Sequence, residues 1–237
     1  MRLRFRVAVA AAVLCVAGCG GSDDEQTPSP RPAAPADSQP IGVYSYATRG
    51  FERLSAVVAS RHEYPSPSTV TVARTGCGVS ERWEPRPERS AEWRFCLDGG
   101  RWRLDALLDY HEFFGQAVRQ EFSCDGPFVP RAPTLPVGFR WTDRCRGAGA
   151  RVTVRYEAIR EQSIAVAGER VETVLVRAHA VLRGRIDGAN RIDSWLARDN
   201  GLLVRRRVRS ATAVDSPFGK VRDRERYQLK LQSLSPR

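Results

Sequence analysis

The chain has 237 residues, with 38 basic and 27 acidic side chains and a formal net charge of +11 at pH 7. Of the basic residues only Lys220 and Lys230 are lysines, a bias that is typical of a GC-rich genome rather than of selection for nucleic-acid binding. We therefore expect no nucleic-acid partner. Residues 41–237 are long enough for one domain with a substantial core.

The first 18 residues have the pattern of a bacterial lipoprotein signal peptide. Three arginines precede an uncharged run from Val7 to Gly18, which is shorter than the roughly 20 apolar residues of a membrane-spanning helix. The run ends in VAGC, and this resembles the lipobox, in which the cysteine is diacylated and the chain is cleaved before it. Two acyl chains are enough for stable anchoring. We predict residues 1–18 as signal peptide, Cys19 as the lipidation site, and an extracytoplasmic location at the membrane.

The segment after the lipidation site is predicted to be a tether. Residues 19–40 are rich in proline and contain no aliphatic side chain larger than alanine. Such a composition cannot bury enough apolar surface to offset the entropy of ordering. We therefore expect residues 19–40 to be disordered and residues 41–237 to form a single domain.

The rest of the chain has the periodicity of β-strands. Apolar and charged residues alternate with a period of two, which is typical of strands with one buried face, and no long amphipathic helix is evident. Residues 51–60 fit either a strand or a short helix. Tight turns are predicted at Arg49-Gly50, Asp98-Gly99-Gly100, Asp187-Gly188, Asn200-Gly201 and near Asp215. The predicted fold is all-β, a large curved antiparallel sheet or half-barrel with meander connectivity and little helix.

Four cysteines of the domain are predicted to form two disulfides, which an exported compartment permits. Cys77 and Cys96 are nearly equidistant from the turn at residues 85–87, and Cys124 and Cys145 from the proline-rich loop at residues 127–138. Partners in a hairpin have this symmetry, so we predict Cys77–Cys96 and Cys124–Cys145. The spacing lacks the paired ligands of a zinc site, and we expect neither a metal nor a cofactor.

No catalytic motif is present. The pair His111-Glu112 could act as a general acid and base, but beside two phenylalanines it is more typical of a packed strand end. We therefore predict no catalytic residues. The tryptophans are interpreted as core residues or, alternatively, as the lining of a ligand groove: Trp83, Trp93, Trp102, Trp141 and Trp195.

The sequence RIDSWLARDNGLLVR, residues 191–205, resembles the W-x-D-x-x-x-G-L-x-x-R hairpin of the LolA-like lipoprotein and lipid-carrier superfamily. This resemblance implies a half-barrel with a concave apolar face that accepts acyl chains, and it implies no catalytic residues. The N-terminal half, with HEYPSPSTVTVARTGCG and HEFFG, is similar to an uncharacterised group of exported lipoproteins.

Basic side chains share one face of the last two predicted strands, opposite the apolar set. These are Arg205, Arg207, Arg209, Arg222, Arg224, Arg226 and Lys230. Like charges opposite each other destabilise a sheet, so we expect the stripe either to contact anionic headgroups or an acidic wall polymer, or to be a solvated basic surface.

Taken together, these patterns predict a membrane-anchored exported lipoprotein without enzymatic activity. Its curved sheet would bind a hydrophobic ligand or an envelope partner. Two alternatives remain open, a cell-envelope hydrolase with unrecognised catalytic residues and a structural or adaptor lipoprotein.

The lipobox predicts that Cys19→Ala releases the protein from the membrane or leaves it as an uncleaved precursor, because only that cysteine can accept the lipid. Cell fractionation and intact-mass measurement check this. A Cys19→Ala protein that is still acylated, cleaved and membrane-bound would contradict it.

Overall fold

A computed structural model describes residues 40–55, 60–113, 116–216 and 219–237. The predicted signal peptide, Cys19 and nearly all of the predicted tether lie outside these residues. The described residues form fourteen β-strands, and no helix among them is long and apolar enough to cross a membrane. The strands are β1 Gly42–Leu54, β2 Ser60–Glu63, β3 Ser68–Thr75, β4 Gly78–Arg86, β5 Arg89–Asp98, β6 Arg101–Phe113, β7 Gln116–Asp125, β8 Val129–Pro130, β9 Arg140–Gly147, β10 Ala150–Val166, β11 Glu169–Gly184, β12 Ile186–Ala197, β13 Leu203–Ser216 and β14 Gly219–Leu231.

The strands form one antiparallel barrel. Twelve of them follow one another as a meander, while β2 adds to β1 and β8 adds to β6. The sheet closes because β14 pairs with β1, from Leu231 opposite Tyr46 to Asp223 opposite Leu54. The predicted all-β class and meander connectivity are confirmed, and closure makes the curved sheet a complete barrel.

Two of the predicted turns are wrong. Strand β1 runs straight through Arg49-Gly50. Gly50 has a φ of 143°, and a Cβ on it would lie 2.1 Å from the carbonyl oxygen of Arg226, so this glycine permits close approach of β14 rather than a turn. The β11–β12 hairpin turns at Arg185 instead of Asp187-Gly188.

The other glycine turns are confirmed in the described residues. Gly99 and Gly100 connect β5 to β6, with φ angles of 51° and 77°, which suit a two-residue hairpin loop. In the β12–β13 hairpin, the side-chain oxygen of Asn200 accepts a hydrogen bond from the Leu202 amide at 2.8 Å. Strands β13 and β14 pair up to Ser216 opposite Gly219, and residues 217–218, which fall within the turn predicted near Asp215, lie outside the described residues.

Both disulfides that the sequence predicts are present in the structure. Cys124 lies directly opposite Cys145 in the β7–β9 pair. Cys77 precedes Gly78, which is opposite Cys96 on β5. The loop between the second pair is longer than a simple turn and carries β8.

The barrel has two unlike ends. At the capped end, defined by the β5–β6 and β12–β13 hairpins, the loop at 126–139 packs its Leu135 into the core, and Arg198 donates to the Leu135 carbonyl at 2.9 Å. The interior toward this end is filled by Tyr44, Tyr46, Leu203 and Leu229. The opposite end of the barrel, defined by Leu54, Gly149 and Arg185, is called the cavity end. The candidate site opens toward it.

Candidate functional site

A cavity of about 420 Å³ occupies the barrel interior, from Ala132 and Gly201 near the capped end toward the cavity end. Its lining reaches Val118, which is 42% exposed, and Val221 near the rim. This volume falls in the range of roughly 300 to 1,000 Å³ that is usual for small-molecule sites. The geometry therefore provides room for one ligand inside the barrel.

One side of the cavity is apolar and is defined here as the apolar wall. It consists of inward-pointing side chains of β6, β7 and β10–β12, which alternate with exposed residues along each strand. The wall contains Leu104, Phe122, Val152, Val154, Ala178, Ala180, Leu182 and Ile192. Small alanines at the centre of β11 leave the space that larger side chains would fill.

The five tryptophans occupy different places. Trp93 and Trp102 line the cavity. Trp83 is a fully buried core residue stacked on Tyr227 with ring centres 4.1 Å apart, and Trp141 stacks on Tyr156 at 4.7 Å. Neither of these two belongs to the cavity lining.

The hypothesis that Trp195 lines a ligand groove does not hold. Its side chain lies on the outer face of β12, whereas Ser194 and Leu196 on either side of it line the cavity. The guanidinium groups of Arg205 and Arg207 each lie 5.5 Å from the centre of its ring. The indole is 4% exposed. This cation–π arrangement makes Trp195 part of the outer surface rather than of a ligand site.

A buried ionic network, called the charged wall, stands opposite the apolar wall. His111 is its centre, with Nδ1 2.9 Å from Oε1 of Glu52 and Nε2 2.8 Å from Oδ2 of Asp109. Arg89 donates to Asp109 and lies 3.4 Å from Glu225, while Arg86 donates to Glu52. Three carboxylates thus face three cationic side chains, which compensates the cost of burying charge.

The network fixes the charge of His111. Burial opposes its charged form, but the Asp109 carboxylate outweighs this and raises the pKa of His111 to about 9. Burial likewise opposes ionisation of Asp109, and Arg89 and His111 hold its pKa well below the usual range. A protonated imidazole that faces two carboxylates cannot accept a proton, so His111 does not fit a general base at neutral pH. Glu112 instead accepts a hydrogen bond from Tyr110 at 3.0 Å.

Asp223 is the carboxyl group left over from this pairing. It lines the cavity, and its buried Oδ1 has no hydrogen-bond partner among the described residues. Burial, followed by the nearby carboxylates of Glu225 and Glu52, raises the pKa of Asp223 to about 7. Its odd position on β14, opposite in parity to the arginines, correctly indicates an inward side chain. The sequence does not show that Glu52 of β1 lies nearby.

A second polar group lies in the cavity beside Trp93. Arg206 of β13 points inward, is only 5% exposed and donates to Glu81 of β4 at 2.9 Å. Its Nε donates to the Ser194 hydroxyl at 3.3 Å. Arg206 is not among the site residues predicted from the sequence. Its even position between Val204 and Val208 is the sequence signal that it faces the interior.

The predicted basic stripe lies on the outer face of the barrel. Arg205 is opposite Lys230, and Arg209 is opposite Arg226. Arg207, Arg222 and Arg224 are exposed on the same face. The structure extends this outer basic surface to the neighbouring strands, because Arg53 of β1 lies opposite Arg224 and Arg191 of β12 lies opposite Arg209.

Comparisons with known proteins do not indicate a function for this chain. No protein-family model matches the chain, and no curated protein matches it in sequence. A crystal structure of the hypothetical lipoprotein YmcC from Escherichia coli (K12) aligns over 81% of this chain and 86% of that chain, at 12% identity and a TM-score of 0.34. This likeness is too distant to bear on function.

The environment of Asp223 predicts that Asp223→Asn stabilises the protein at pH 8 but not at pH 4. A carboxyl with a pKa of about 7 when folded and about 3.9 when unfolded costs stability as pH rises between these values. Asparagine does not ionise, so its advantage over aspartate should grow by about 2 to 4 kcal/mol between the two pH values. Urea unfolding at both pH values measures this.

The matched control is Asp105→Asn. Asp105 is half-exposed and lies at a β-bulge of β6, between Leu104 and Ala106. It removes a carboxylate without changing the cavity. A difference between Asp223→Asn and the unmodified protein that is the same at pH 4 and pH 8 would contradict the assignment.

Proposed function

We propose that the protein is an exported lipoprotein, anchored through Cys19, whose barrel binds one largely apolar molecule in its interior cavity. The single observation that carries the ligand-binding part is the cavity of about 420 Å³ against the apolar wall. Transfer of apolar surface from water to an apolar site is favourable by roughly 25 cal/mol per Å². An apolar ligand is therefore stabilised in proportion to the surface that it buries against this wall.

The charged wall supports a ligand with few charges of its own. Its carboxylates are already paired with Arg86, Arg89 and His111, so little charge remains to attract an ion. The pairing also fixes the side chains that line this side of the cavity. Binding to a rigid site is more favourable, because fewer side chains have to be ordered when the ligand enters. The anchoring part of the proposal is supported by the signal peptide and lipobox patterns.

Filling the cavity tests this function. Ala180 of β11 lines the cavity and is 6% exposed, so the ring of Ala180→Phe would occupy ligand space. We expect native mass spectrometry of protein purified from its own host to show a bound small molecule that is lost, or reduced at least tenfold, in Ala180→Phe.

Ala189→Phe is the control, because Ala189 is exposed on the neighbouring strand β12. It adds the same ring outside the barrel and should keep the ligand. Absence of any adduct in the unmodified protein, or an adduct that Ala180→Phe leaves unchanged, would refute the proposed function. Thermal unfolding of each variant verifies that the barrel is intact.

The outer basic surface is the second element of the proposal, and we propose that it contacts anionic lipid headgroups. Cationic side chains stand directly opposite one another at Arg209–Arg226 and Arg53–Arg224, an arrangement that destabilises an isolated sheet. Each such charge contributes about 1 kcal/mol near an anionic membrane. Strand β1 belongs to this surface and follows the predicted lipid tether in the chain, which would keep the surface close to the membrane.

This contact predicts that changing Arg53, Arg209, Arg224 and Arg226 together to Gln weakens binding to anionic vesicles at least tenfold at low salt. Sedimentation with vesicles of anionic or neutral lipid measures it, using the unlipidated chain so that the anchor does not contribute. Binding should also fall with salt, because screening weakens exposed charges.

A variant with Arg144, Arg151, Arg155 and Arg183 changed to Gln removes the same charge from exposed positions on β9–β11. It should bind nearly as well as the unmodified chain. If both variants lose binding equally, only net charge matters and the surface has no defined role.

A further inference from the structure

We infer that the cavity takes an uncharged acyl ester or amide, whose carbonyl oxygen accepts a hydrogen bond from Nη1 of Arg206. This inference rests on the proposed function and specifies the class of ligand. It follows from three features of Arg206: its unused donor, its neutralised charge and its position at the inner part of the cavity.

The unused donor is the first feature. The Arg206 guanidinium uses Nη2 on Glu81 at 2.9 Å and Nε on Ser194 at 3.3 Å. Nη1 is buried and has no hydrogen-bond partner among the described residues. A buried donor without an acceptor is unfavourable, and the side chain lines the cavity. An acceptor atom on the ligand would remove this cost.

The charge balance decides which acceptor fits. Glu81, whose side chain is 13% exposed, already neutralises Arg206. The charged wall is balanced as well, and Asp223 is an additional acid in the same cavity. The remaining cation of the lining, Arg131, lies at the capped end, where it donates to the Asn200 carbonyl at 3.2 Å. An ionised carboxylate placed at Arg206 would therefore be a buried charge without a cation of its own, which is strongly unfavourable. A neutral carbonyl oxygen satisfies the N–H without adding charge.

The surroundings of Arg206 position the rest of the ligand. Trp93 lies under the guanidinium, 4.2 Å from the ring centre to Cζ. Along β13, the following lining residues Val208, Ser210 and Val214 lead toward the cavity end. A carbonyl at Arg206 therefore lies deep in the cavity, while the acyl chain extends along the apolar wall.

Three probes of similar length test the inference on the unlipidated chain from residue 20: methyl laurate, tridecane and laurate at pH 8. A hydrogen bond from a charged donor makes methyl laurate bind roughly tenfold to a hundredfold more tightly than tridecane. Laurate should bind more weakly than methyl laurate, because its charge is not compensated. Competition against a fluorescent fatty ester measures all three.

Two variants add readouts that a merely structural role would not change. Glu81→Gln/Arg206→Met removes both charges together, and it should abolish the preference for methyl laurate, so that the ratio of the two affinities, methyl laurate to tridecane, falls to about one. Glu81→Gln alone leaves Arg206 without its counter-charge, and it should increase the affinity for laurate at least tenfold. Arg155→Gln, at an exposed position on β10, is the control and should change neither preference.

The outcomes separate the two proposals. If tridecane and methyl laurate bind equally, or the double variant keeps the preference for methyl laurate, the carbonyl assignment is overturned while apolar binding stands. If the unmodified chain prefers laurate, the ligand is an anion and the charge argument is wrong. If none of the probes binds, the proposed function fails and the inference fails with it.

Discussion

The pairing of β1 with β14 is the constraint on which the rest of the structure depends. Nine residue pairs, from Tyr46–Leu231 to Leu54–Asp223, join the two ends of the chain's sheet. Without this contact the sheet would have two long edges with unpaired backbone groups, which invite association with other chains. Closure also places Glu52 of β1 beside the acids of β14, so the fold and the charged wall have the same origin.

The charged wall is the energetic consequence of that closure. Glu52, Asp109 and Glu225 would each be very unfavourable inside a barrel on their own. Arg86, Arg89 and His111 reach them from β4, β5 and β6, and the network therefore links strands that follow one another with the strand that closes the barrel. Buried pairs of this kind contribute little net stability, whereas loss of one partner is costly. They specify the register of closure rather than supply its free energy.

The interior thus divides its polar groups into two kinds. Those of the charged wall are compensated among themselves and leave the cavity nearly neutral. Arg206 is compensated in charge by Glu81, but its Nη1 has no hydrogen-bond partner among the described residues. This difference is the basis of the selectivity that we propose for an acceptor without charge. On the outer face, Arg209 lies directly opposite Arg226. These like charges are tolerated because they face solvent, where the repulsion between them is weaker than in the interior.

The sequence by itself determined the features that depend on near neighbours. Alternation of apolar and charged residues specifies the strands and the outward arginines. Gly99-Gly100 and Asn200-Gly201 specify their turns. Symmetry about the loops specifies the two disulfides, Cys77–Cys96 and Cys124–Cys145. Only the tertiary structure decided closure, the cavity and the partners of Arg206 and His111. Glu52 and Glu225 are far apart in the chain, and an inward acid has the same local pattern whether or not a cation faces it. Gly50 is a second example of what the sequence does not show. Position 50 requires glycine because β14 approaches it closely, and not because the chain turns there.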